Sequence, residues 1–244
     1  MSEEQRKEQI ERISHFEELM QRTREAVASG TDSAAHFARV QENLIKLASY
    51  YASPEWKEDF AADEEGLLPK DLKRGVISED GLYDLLSEGK EWTEGVIEGL
   101  LSKEYMVVDL LPRQVAKYQD GRYFEIEKYF LETPRIEELR RKYAGILIKL
   151  NCYFDICCCL VRASEESGGW TVNPSPGILE GGLTDERFAN CSLNVVVPLE
   201  NALITLNGSD THMTVYNASE EFLKLIKALA AGEGLYVWKP EEDI

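Results

Sequence analysis

The longest uninterrupted apolar run in this 244-residue chain is Ile156 to Val161. A bilayer-spanning helix needs roughly 18 to 20 such residues, so no membrane segment is expected. The first residues, Met1 to Glu8, are charged and lack the apolar core and small-residue cleavage site of a secretory signal. Histidine is scarce, with His15, His36 and His212 far apart and no His-Glu-x-x-His spacing to set two ligands on one helical face. The glycine-rich dinucleotide fingerprint, the phosphate-loop lysine motif, the nucleophile elbow and the calcium loop are all missing, which removes the commonest nucleotide-binding and hydrolase signatures. The five cysteines are odd in number and three are consecutive, Cys157 to Cys159, a spacing that suits neither a disulfide framework nor a zinc site. They read as small core residues in a reducing compartment, and a cytoplasmic protein is expected.

Acidic charge is what the chain has in excess. The net charge is −18, with 13 basic against 24 acidic residues up to Glu104 and 14 against 21 after it, so both halves are acidic. Such a surface repels phosphate backbones, and nucleic acid is excluded as an expected partner. A basic protein is the natural complement.

Ile10, Ile13, Phe16, Met20 and Val27 recur at helical steps from about Glu4 to Val27. Gly30 ends that helix. Thr31, Asp32 or Ser33 can cap a second one carrying Phe37, Val40, Leu44, Leu47 and Tyr51, and so short a turn predicts an antiparallel pair. Ser53-Pro54 opens a short helix through Phe60, a polar connector runs from Ala61 to Lys73, and Ser78 caps a third long helix with Leu82, Leu85, Trp92, Val96 and Leu100 inward.

Beyond Glu104 the pattern changes. Tyr105 to Leu111 and Arg122 to Leu131 read as extended segments either side of a turn at Asp120-Gly121. Thr133-Pro134 starts a helix to about Asn151, and Tyr153 to Arg162 reads as a buried strand. A turn at Ser167-Gly168-Gly169 leads to a strand at Trp170 to Asn173. Cys191 to Val197, Ala202 to Leu206 and His212 to Tyr216 are further strands, the last two joined by Asn207-Gly208-Ser209-Asp210. Ser219 caps a helix to Leu229, and Leu235 to Trp238 is a final strand. The expected fold is α+β: an antiparallel helical hairpin or three-helix unit over 1–103, then, over 104–244, a mostly antiparallel sheet covered by two helices. The glycine-rich stretch Pro174 to Gly182 reads as a surface loop, with a lid over a site as its functional alternative.

The stretch Tyr50-Tyr51-x-Ser53-Pro54-x-Trp56-x-x-Asp59, continued by Leu68-Pro69-x-Asp71-Leu72-Lys73-Arg74-Gly75-Val76-Ile77-Ser78-Glu79-Asp80-x-Leu82-Tyr83, resembles a small bacterial family catalogued as domain of unknown function 4298. The likeness covers roughly the first 95 residues. It implies a short helical domain and brings no activity, cofactor or catalytic residue. Physically, Gly75 would supply a tight turn, and Trp56 and Tyr83 would pin the connector to the helices. A functional alternative groups Trp56, Asp59, Asp63, Asp71, Lys73, Arg74 and Asp80 as an interaction face.

These readings lead to a non-enzymatic protein-binding or regulatory protein, in one version an immunity-like protein that masks a basic toxin. No catalytic residue, metal ligand or cofactor is expected. The alternative is a hydrolase or transferase of unfamiliar type, using carboxylates and His212, which stands beside Asp210 and Thr211, in a cleft between the two modules.

Overall fold

The computed structural model describes residues 3–31, 33–116, 119–162 and 169–241. The chain forms two compact units: Met1–Asp32 with Arg39–Val96, and Ser33–Ala38 with Ile97–Ile244. Helices come first, followed by an antiparallel sheet and further helices, an α+β fold.

The first unit is built from α1 (Glu3–Ala28), α2 (Phe37–Tyr51, from Arg39 onward), α3 (Pro54–Glu64) and α4 (Glu79–Leu101, as far as Val96). Gly30, at φ +95°, ends the turn after α1 in a conformation that side-chain-bearing residues rarely adopt. Ser53 accepts a hydrogen bond from the Trp56 amide at 3.1 Å, and Pro54 occupies the first turn of α3, as cap chemistry predicts. Ser78 likewise accepts from the Gly81 amide at 3.3 Å. Ile13, Met20, Leu47, Tyr50, Trp56, Ile77, Leu82 and Leu85 meet in one apolar cluster, each contributing roughly 1.5 to 3 kcal/mol by leaving water. Gly75 opens a tight 3-10 turn, Gly75–Ile77, as expected, without a positive φ; a Cβ there would lie 3.2 Å from the Glu17 carboxylate, so close approach is what favours glycine. One expectation changes. Tyr83 is 61% exposed and pins nothing, because it falls on the outer side of α4.

The second unit holds a seven-stranded sheet among the described residues, in the order β3-β2-β4-β5-β6-β1-β7, every neighbouring pair antiparallel. The strands are β1 (Tyr105–Asp109), β2 (Cys157–Arg162), β3 (Trp170–Val172), β4 (Cys191–Val197), β5 (Ala202–Asn207), β6 (Met213–Tyr216) and β7 (Tyr236–Trp238). Side chains alternate between faces. Val108, Cys158, Leu193, Val195, Ile204, Met213 and Val215 share one core with Tyr143, Ile146 and Leu147 of α6 (Arg135–Leu150) and with Phe222 and Ile226 of α8 (Glu220–Gly232). Ser219 caps α8 by accepting from the Phe222 amide at 3.1 Å.

Three readings are corrected here. Arg122 to Leu131 is no strand but lies in α5 (Asp120–Leu131); alternation at Phe124-Glu125-Ile126-Glu127 imitates a strand, while Phe130 packs on the core at helical spacing from Ile126. Pro174 to Gly182 is no loop, since α7 (Pro176–Thr184) starts on its proline and sends Leu179 and Leu183 into the core despite three glycines. The strand read from Tyr153 begins only at Cys157, after the turn that ends α6. Asp32 as a cap, and Ser167 and Gly168 of the expected turn, lie outside the described residues. Gly208 in the β5–β6 hairpin has no alternative, because a Cβ would overlap the Phe188 carbonyl.

Ser33–Ala38 belongs to this second unit. The Ala34 amide donates to Asn201 Oδ1 at 2.7 Å, and the Phe37 ring meets Trp170 edge-on at 4.7 Å between centroids.

Candidate functional site

The seven residues grouped from the N-terminal motif do not form one face. Trp56 is buried, its Nε1 donating to the Val76 carbonyl at 3.0 Å and its ring stacked on Phe60. Asp59 is 0% exposed. Its carboxylate accepts from Gln9 Nε2 at 2.9 Å, from Arg12 Nε at 2.9 Å and Nη2 at 2.6 Å, and from the Tyr50 hydroxyl at 2.6 Å. Both side chains are buried and bonded within the helical unit. Asp63 and Arg74 are half-buried and paired with each other. Asp71, Lys73 and Asp80 remain at the surface. The motif thus encodes the interior of the helical unit.

The second unit carries a different constellation. Tyr105, Val107 and Asp109 alternate along β1 on the face turned away from the helical core, and the β1–β7 register sets Trp238 beside Val107 and Tyr236 beside Asp109. With Gln114, Val115, Tyr123, Phe124, His212 and Pro240 they line a cleft of about 350 Å³. Asp109 is 1% exposed, and its Oδ1 accepts from the Leu111 amide at 3.3 Å. Burial raises its pKa above the usual carboxylate range, amides of Leu111 and Leu110 and the His212 charge offset part of that, and Glu127 adds to it. Among the described residues no lysine or arginine stands within ion-pair distance of this carboxylate.

Around it, Thr211 is fully packed; its carbonyl accepts from the Tyr143 hydroxyl at 2.7 Å and its Oγ1 donates to Glu127 at 3.3 Å. Burial, with the charges of Asp109, Glu127 and Asp210 adding to it, pushes the Tyr123 phenol up to about 12. Tyr143 is raised as well, first by burial and then by Asp109 and Tyr123.

A second cleft of about 500 Å³ shares Tyr105 and His212 with the first and is lined also by Ser192, Asn194, Thr205, Asn207, Thr214 and Tyr216, and by Asp210 and Leu101. The paired registers set Thr214, Thr205 and Asn194 side by side across three strands, a row of hydroxyl and amide groups. Tyr105 and Tyr216 meet at its border, 5.5 Å between ring centroids. Among the described residues, the aspartates and glutamates lining the two clefts are Asp109 and Asp210. A third cleft, about 520 Å³ beside α7, is lined by Arg162, Arg187 and Asp185, and Arg187 already pairs with Asp185.

Chemically, the first cleft offers a carboxylate, an imidazole and aromatic walls. An activated nucleophile needs a lowered pKa or a general base in reach. Both perturbed phenols here move the other way, as does Cys158, whose thiol is raised by burial. Of the cysteines, Cys152 is exposed, the other four are buried, and none forms a disulfide. Among the described residues no group of His, Cys, Asp and Glu is arranged to hold a metal ion, and no helix is long and apolar enough to cross a membrane.

His212 was singled out in the sequence by its place beside Asp210. Asp109, Tyr123 and Trp238 were not, although a charged residue closing the alternation Tyr105, Val107, Asp109 is a signal that a strand leads to a polar site.

A family model described as "Domain of unknown function (DUF4298)" matches residues 13–98, the stretch marked by the N-terminal motifs. No family matches the remainder of the chain. No curated protein and no solved structure matches it.

Proposed function

We propose that the protein is a non-catalytic binding protein of the bacterial cytoplasm that recognises a basic protein partner, and that it does so with the two-cleft face of the second unit. The observation that carries this reading is the lining: both clefts hold a carboxylate, Asp109 or Asp210, and among the described residues neither is lined by a lysine or arginine. A partner presenting positive charge meets complementary charge there, and the net charge of −18 steers its approach. An immunity-like masking protein for a basic toxin is the narrower form of the same reading. It fits the acidity but not the acidity alone, since the surface must also match one partner in shape.

The test compares two double substitutions of equal charge change in the full chain. Asp109→Asn with Asp210→Asn is expected to reduce capture of the native partner at about 0.15 M salt at least tenfold. Glu220→Gln with Glu221→Gln, on the first turn of α8, should alter capture less than twofold. Equal losses from both pairs would reduce the effect to bulk charge and defeat the assignment. The enzymatic alternative, a hydrolase or transferase using Asp109 and His212, is favoured instead by turnover of an acyl, phosphoryl or glycosyl substrate that His212→Ala abolishes.

A further inference from the structure

We infer that the Asp109 cleft is a receptor for a single arginine side chain presented by the basic partner. The inference rests on the reading of this face as the binding surface and names what one part of it takes. Four features converge. Tyr105, Tyr123, Phe124 and Trp238 supply ring surfaces, on which a planar guanidinium stacks favourably while its methylene stem stays among apolar groups. Asp109 is among the residues lining the cleft, its Oδ1 held by the Leu111 amide, and its ionised carboxylate is a charge partner for the guanidinium. No lysine or arginine among the described residues pairs with it, whereas the buried Asp59 is matched by Arg12. Finally, about 350 Å³ suits one long side chain and is at the low end of small-ligand clefts, too small for a helix or strand to enter.

Lysine is the weaker occupant. Its ammonium is compact and strongly hydrated, and it gains less from ring faces than a guanidinium while losing more water. The groups facing Asp109 are Glu127 and Tyr123 of α5, Tyr143 of α6, and His212 before β6. Glu127 adds negative potential for an incoming cation. The Asp109 carboxyl, raised by burial, attracts a cation only when ionised, so occupancy weakens as the solution is acidified and it takes up a proton.

The test uses the full chain and three capped tripeptides, Gly-Arg-Gly, Gly-Lys-Gly and Gly-norleucine-Gly, titrated calorimetrically at about 0.15 M salt to suppress diffuse attraction. The arginine peptide is expected to bind at least fivefold more tightly than the lysine peptide, with no detectable norleucine binding. Asp109→Asn should weaken arginine binding at least tenfold. Phe124→Ala, at an exposed wall position where folding is not at stake, should weaken it severalfold. Norleucine binding equal to arginine, or an Asp109→Asn variant that binds like the parent, overturns the inference. If none of the peptides binds while the double substitution at Asp109 and Asp210 still abolishes partner capture, the arginine receptor falls and the binding surface stands. If the arginine peptide binds and partner capture is indifferent to those substitutions, the receptor stands and the partner reading falls.

Discussion

Asp59 in the helical unit and Asp109 in the sheet unit are both withdrawn from solvent, yet their surroundings are opposite. Asp59 accepts four hydrogen bonds, two of them from the fork of Arg12, so its desolvation is met by partners within the chain. Asp109 has amide contacts and a histidine nearby but no basic residue in ion-pair range among the described residues, and it opens onto a cleft. A buried carboxylate surrounded by donors organises its own fold. One that no described lysine or arginine neutralises and that lines a cavity is what the proposed arginine receptor draws on. The family match covers the first and not the second.

The sharpest way to break this comparison is to remove the carboxylate of Asp59. Asp59→Ala strands Arg12, Gln9 and the Tyr50 hydroxyl and is expected to destabilise the helical unit by about 3 kcal/mol. Denaturant unfolding followed through Trp56 and Trp92, with Trp170 and Trp238 replaced by phenylalanine, checks it. A loss below about 1 kcal/mol would erase the distinction.

Asp109→Asn should act in the other direction and more weakly. A carboxyl whose pKa is raised by burial contributes stability that is fully present below its unfolded value and is lost as pH climbs through its folded value. The asparagine variant does not ionise, so it should gain on the parent by on the order of 1 kcal/mol near neutrality and by nothing below about pH 4. Thermal melts across that range decide, and an asparagine variant that is less stable near neutrality would show that Asp109 is structural after all. The smallest effect is expected at Tyr83, part of the same motif as Asp59 but exposed: Tyr83→Ala should stay within about 0.5 kcal/mol of the parent.

Much of the architecture was legible because it is written locally. Ser53, Ser78 and Ser219 announce helix starts by a short-range hydrogen bond that each forms in the structure. Strands β4, β5 and β6 follow from alternation and a turn signal between them. Local signals also mislead: α5 carries aromatic and β-branched residues suited to a strand, yet it is a helix whose Phe130 packs against the core. In α7, Leu179 and Leu183 likewise outweigh the glycines. The cleft was beyond local reading, because β1 lies between β6 and β7, strands more than a hundred residues further along the chain. His212 drew notice by its neighbours in sequence, whereas Asp109 and Tyr123 become its companions only through that long-range pairing.

The short segment Ser33–Ala38 makes the sheet unit discontinuous: its Ala34 and Phe37 find their partners at Asn201 and Trp170, more than 130 residues downstream, while the helices on either side belong elsewhere. No single scissor point in the gene therefore yields both units whole. A fragment ending at Val96 would carry six orphaned residues, and its complement would begin without the piece that seats against the β4–β5 connection; recombination that keeps both intact has to move the two as one cassette.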